Sequence, residues 1–194
     1  IYMQRFDAAG APAGAETQVN ATAAGNQDDP AIAGLADGGF VVTWDSNQVG
    51  SQYDIYAQRF DASGNKVGSE TQVSSASPHD YFSQVTALQN GGFFVAWRAD
   101  GAQDGSAEAV FGRIYDASGN AVTAAFQVDT ATYSTEWRPA VTTLSDGSFV
   151  VTWDSYANSN YDISGQRYDA SGNKIGGEFT VNTYLTGAQN SSWV

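Results

Sequence analysis

The chain has 194 residues, 42% of them hydrophobic, enough for one domain with a substantial core and too many for a disordered tail. Eight basic residues against 21 acidic ones leave a net charge of −13, which repels nucleic acid and anionic membrane surfaces, so neither is expected as a partner. No apolar run approaches the ~20 residues that cross a bilayer, and the absence of cysteine excludes disulfides and thiolate metal sites.

The chain opens on Ile1-Tyr-Met-Gln-Arg-Phe-Asp7, a strand-like segment that returns three times. The copies are Ile55-Tyr-Ala-Gln-Arg-Phe-Asp61, Val110-Phe-Gly-Arg-Ile-Tyr-Asp116 and Ile163-Ser-Gly-Gln-Arg-Tyr-Asp169, at steps of 54, 55 and 53 residues. Each is followed by a turn: Asp7-Ala-Ala-Gly-Ala11, Asp61-Ala-Ser-Gly-Asn65, and the same five residues at 116–120 and 169–173. The glycine supplies turn geometry and the leading aspartate can bond the backbone ahead of it. Between these segments comes Gly39-Phe-Val-Val-Thr-Trp-Asp45, then Gly92-Phe-Phe-Val-Ala-Trp-Arg98 and Ser148-Phe-Val-Val-Thr-Trp-Asp154. Each is preceded by a tight-turn signal at Asp37-Gly, Asn90-Gly or Asp146-Gly. A long fixed period means one supersecondary unit, copied and stacked.

Four strands are predicted per copy, in the second copy at residues 83–88, 93–97, 110–115 and 126–128. The Phe-Val-Val-Thr-Trp run is apolar on both faces, so it needs cover on both sides. Nothing has helical period, and other sheets must provide that cover. The expected fold is all-β: a β-propeller-like array of four-stranded antiparallel blades of about 53 residues, with four blades, one incomplete. The units fall near 1–54, 55–109, 110–162 and 163–194 of a single repeat domain, 1–194. An open array of sheets, or part of a larger ring, is the alternative. Both ends fall inside a repeat, which predicts a longer array. It also predicts either closure of the Ser192 segment on the first strands or head-to-tail self-association.

Asp45 and Asp154 follow the tryptophan where the middle copy has Arg98, and Arg59 and Arg167 lie where it has Ile114. Joint replacement predicts cross-strand pairs Asp45–Arg59 and Asp154–Arg167. His79, the one histidine, stands in a polar loop and is read as a solvated side chain, not a catalytic base. Zinc lacks ligands. Calcium wants loop oxygens, and Asp100, Asp104 and Ser106 of the Asp100 to Ser106 loop are the candidate ligands. Trp44, Trp97 and Trp153 read as core, whereas Tyr81, Phe82, Tyr133, Trp137 and Trp193 lie in variable segments before the first strand of a copy. Those five are the candidate ligand-binding aromatics.

The turn-plus-tryptophan pattern resembles the Asp-box turns of sialidase propellers, where such turns are structural. Over the whole chain, the Phe-Val-Val-Thr-Trp…Ile-Tyr-Ala-Gln-Arg-Phe-Asp-x-x-Gly pattern resembles tandem repeats of large secreted bacterial surface proteins that also carry hemolysin-type calcium repeats or cadherin-like domains. That resemblance implies export, an extracellular or cell-surface place, and a role in adhesion. The function expected is therefore a non-catalytic structural or adhesive module, not an enzyme, with other domains, copies of itself or glycans as partners. A carbohydrate-binding propeller is the second reading, and an Asp-box-type glycoside hydrolase the third.

Overall fold

The computed structural model of the protein describes residues 1–74, 78–101, 107–130, 135–157, 160–184 and 186–190, without the side chain of residue 157. The β-branched and aromatic residues of the Phe-Val-Val-Thr-Trp runs form the most deeply buried strands, with Trp44, Trp97 and Trp153 at most 2% exposed. Each run is entered through a tight turn whose glycine, Gly38, Gly91 or Gly147, takes φ of 82 to 88°, a region that side chains disfavour. The described residues contain no helix.

Three four-stranded antiparallel units follow one another. The first comprises β3 (Gln27–Gly34), β4 (Phe40–Ser46), β5 (Asp54–Phe60) and β6 (Lys66–Gln72). The second comprises β7 (Asp80–Ala87), β8 (Phe93–Asp100), β9 (Glu108–Tyr115) and the short β10 (Phe126–Gln127). The third comprises β11 (Thr135–Thr143), β12 (Phe149–Ala157), β13 (Asn160–Tyr168) and β14 (Lys174–Thr180). A single parallel bridge, Thr135 to Glu108, joins the second unit to the third. The fold is all-β and propeller-like, with open sheets and no closed ring among the described residues. The expected closure at Ser192 falls outside those residues.

The chain begins with β1 (Tyr2–Met3) and β2 (Thr17–Gln18), paired Tyr2 to Gln18 as β5 and β6 pair Tyr56 to Gln72. One hydrogen bond recurs at this place in every copy. Asn20 Oδ1 accepts from the Ile1 amino group, Ser74 Oγ from Ile55 N, Asp129 Oδ1 from Val110 N, and Asn182 Oδ1 from Ile163 N. The pair β1–β2 thus repeats the pairing of β5 with β6.

Blades stack outer strand on inner face. Val19 packs with Val42 and Trp44, Val73 with Val95 and Trp97, and Val128 with Val151 and Trp153. These three valines are 0–1% exposed, whereas their counterpart Val181, following β14, is 48% exposed. Within each blade an aromatic pair crosses the second and third strands: Phe40–Phe60 at 4.9 Å, Phe93–Tyr115 at 4.8 Å and Phe149–Tyr168 at 5.2 Å between centroids. Such pairs add about 0.5–1.5 kcal/mol to their area burial.

The predicted ion pairs are not the ones that form. Asp45 lies opposite Ile55, and Arg59 lies opposite Val41. Arg59 instead bonds Asp37 in the turn before β4, and Arg167 bonds Asp146 in the turn before β12. The middle blade has Asn90 and Ile114 at those two positions, so the joint replacement reflects this turn-to-strand pair. The turn aspartates behave as the turn signal predicts. Asp61, Asp116 and Asp169 each accept two backbone N–H groups ahead of them and the amide of the following asparagine, which holds their carboxyls below the usual range.

Candidate active site

The first strand of each blade breaks register at the same place: between Asp28 and Ala31 in β3, Tyr81 and Gln84 in β7, and Trp137 and Ala140 in β11. At each break one non-glycine residue enters the left-handed region. These are Asp29 at φ 47°, Phe82 at 57° and Arg138 at 47°. Each such conformation costs roughly 1–3 kcal/mol and persists only where its surroundings dictate it. At Phe82 the cause is visible. The buried Asp45 carboxylate at the end of β4 accepts Phe82 N at 2.9 Å and Ser83 N at 3.5 Å, and Ser83 Oγ bonds Thr43 Oγ at 3.1 Å. A side chain of one blade therefore fixes the bulge of the next.

The three bulges converge on one cavity of about 660 Å³, lined by Asp29, Ile32, Phe82, Gln84, Arg138 and Pro139 among others. The blades supply different chemistry at equivalent places: Asp28-Asp29 from the first, Tyr81-Phe82 from the second, Trp137-Arg138 from the third. Asp29, Phe82 and Arg138, one from each blade, thus line one cavity.

Electrostatics sharpen the asymmetry. Burial lifts the Asp45 carboxyl to about 7, against the stabilising N–H of Phe82 and with added repulsion from Asp29 and Asp28. Asp154, in the equivalent position of the third blade, lies 4.0 Å from Arg138. The middle blade has Arg98 instead. Its guanidinium bonds Asp100 at 3.0 Å through Nε and Glu108 at 3.2 Å, and it lies 4.6 Å from the Trp137 ring centroid, 5.2 Å from Tyr81 and 5.6 Å from Phe82. Trp137 Nε1 donates to Glu108. A cation so placed holds the rings by cation–π attraction.

Of the predicted aromatics, Tyr81, Phe82 and Trp137 are brought together around Arg98. They stand in β7 and β11, not in loops before the first strand, because the bulges let strand residues project where alternation alone would not take them. Tyr133 and Trp193 lie outside the described residues. So do Asp104 and Ser106, while Asp100 is engaged by Arg98. No cluster of three or more His, Cys, Asp or Glu side chains suited to a metal occurs among the described residues. His79 is half-buried: its Nδ1 accepts Tyr53 N at 3.2 Å and its ring stacks on Tyr81.

Arg138 and Asp45 escaped the sequence reading as site residues. A signal existed. Gln27-Asp-Asp-Pro-Ala31 and Glu136-Trp-Arg-Pro-Ala140 align around a proline, with divergent residues between matching flanks.

No family model matches the chain, and no curated protein matches it. Solved structures do. An endo-arabinase from Bacteroides thetaiotaomicron VPI-5482 superposes with a TM-score of 0.56 at 11% identity, over 82% of this chain and 64% of that one. A thermostable family-43 glycoside hydrolase gives the same TM-score and identity, over 82% of this chain and 55% of that one. A putative exo-beta-1,3-galactanase from Bifidobacterium bifidum s17 gives 0.50 at 9% identity, over 88% and 54%. The chain therefore spans about 54–64% of the length of these structures and shares their fold.

These relatives correct two expectations. The chain was expected to be a non-catalytic structural or adhesive module, and not an enzyme. That expectation rested on the resemblance to tandem repeats of secreted surface proteins. The solved structures that share this fold include an endo-arabinase and a family-43 glycoside hydrolase, so the fold is one on which glycoside hydrolysis is found and does not speak for a non-catalytic module. The bulges show why repetition misled: equivalent places in the copies bring different residues, Asp29, Phe82 and Arg138, to one shared cavity. No helix among the described residues is long and apolar enough to cross a membrane.

Proposed function

We propose that the chain forms the sugar-handling part of a glycoside hydrolase whose substrate enters the cavity between the three bulges. What supports the reading is that cavity: at about 660 Å³ it holds a small ligand, and it gathers Asp29, Phe82 and Arg138 on strained backbone at one place. Cleaving a glycosidic bond needs carboxyl groups beside the scissile oxygen. Asp29 is the carboxylate on the wall and takes the role that touches substrate. Arg138 donates to sugar hydroxyls, and Phe82 offers an apolar face.

An extracellular place, where polysaccharides are met, belongs to the same proposal, as does the blade count: β1–β2 would be the outer half of a fourth blade within a single repeat domain. The experiment is incubation with a panel of arabinans, galactans and related polysaccharides, with reducing-end release as readout. Asp29→Asn should lower the rate by about 10²–10⁴-fold. Release that is absent from every polysaccharide, or indifferent to Asp29→Asn, overturns the reading.

A further inference from the structure

Beside the cavity four rings touch in a short row, its last two members, Tyr53 and His79, lying side by side at 6.3 Å between centroids. Phe82 stands on the cavity wall; Tyr81 follows at 6.1 Å between centroids, then Tyr53 at 5.1 Å and His79 at 5.6 Å from Tyr81. All four are half-buried, so each keeps part of its surface for solvent. Polar groups flank the far end: the Tyr53 hydroxyl accepts from Asn26 Nδ2 at 2.9 Å and lies 3.4 Å from Asp28 Oδ2. The row is anchored from one side by Arg98, itself held by Asp100 and Glu108.

The fold does not require an aromatic at the Tyr81 position. Asp28 occupies the position of Tyr81 in the first blade, on the same strand and before the same bulge. Core packing therefore does not account for Tyr81, the ring that links the others to the cavity. Apolar ring surface edged by hydroxyl, amide and carboxylate groups suits sugars, whose own faces are apolar and whose rims are polar. The spacing of the rings is comparable to the length of one sugar unit, and the row is continuous with the cavity.

We propose that Tyr53, His79 and Tyr81, continuing from Phe82, form a track that binds sugar units lying outside the cavity, so that the substrate is an extended polysaccharide chain and not a lone glycoside. This rests on the hydrolase reading above and deepens it. In the wild-type protein, kcat/KM should climb with the length of oligosaccharides cut from the best polysaccharide in the panel. Tyr81→Ala and Tyr53→Ala should each remove about tenfold from the longest substrates and leave the shortest cleaved one unchanged, while Tyr81→Phe keeps the wild-type profile. Because Tyr81 touches Arg98, thermal melting checks the fold of each variant. Should Tyr81→Ala not fold, Tyr53→Ala and His79→Ala decide the matter. Equal losses on short and long substrates, or a wild-type profile flat in length, overturn the track while leaving the hydrolase reading standing. Failure to cleave any polysaccharide overturns both.

Discussion

The Asp45 carboxylate of the first blade receives the backbone N–H of Phe82 in the second at 2.9 Å, although Asp45 itself is fully buried. One contact thus does two things. It docks neighbouring blades, and it holds a bulky residue in a left-handed conformation at the cavity wall. The electrostatic cost of burying this carboxylate, which the Phe82 N–H only partly offsets, is visible in its raised titration.

That cost makes stability depend on pH in a definite direction. The Asp45 carboxyl titrates near 7 when folded and at the ordinary 3.8 when unfolded, so the folded state binds this proton more tightly. The contribution is fully present below the unfolded value and is lost as pH rises through about 7. It is on the order of 4 kcal/mol. Asp45→Asn keeps an oxygen for Phe82 N without the charge. Urea midpoints from pH 4 to 8 should therefore fall more steeply for the wild type than for Asp45→Asn, and parallel slopes would show that Asp45 is not the group responsible.

A packing trade in the middle blade gives a second test. At the positions where the first blade has Val41 and Ala57 and the third has Val150 and Gly165, the middle blade sets Phe94 over Gly112. A Cβ on Gly112 would come within 2.2 Å of the Phe94 ring. Gly112→Ala should destabilise by about 1–3 kcal/mol through overpacking, and Phe94→Val added to it should recover part of the loss. Additive effects in chemical denaturation would refute the trade.

Blade stacking predicts unequal costs at equivalent valines. Val128, buried beneath Trp153, should lose roughly 1.5–3 kcal/mol on truncation to alanine. Val181, exposed at the same place in the last blade, should change by less than about 0.5 kcal/mol. Equal losses would mean that Val181 is covered in solution.

Much of this protein follows from local rules acting on the sequence alone. Glycine turn signals, a two-faced apolar strand and a fixed period determined the strands, the turns, the buried tryptophans and the repeat, because each depends on residues close together in the chain. The joint change of Asp45 with Arg59 to Arg98 with Ile114 was legible too, but the true partner was not: register sets Arg59 opposite Val41 and it reaches back to Asp37 in the turn. Asp29, Phe82 and Arg138 lie more than 50 positions apart in sequence. Only stacking of the blades could set them around one cavity, since the bulges that aim them are held by contacts, such as Asp45 to Phe82, that no single copy contains.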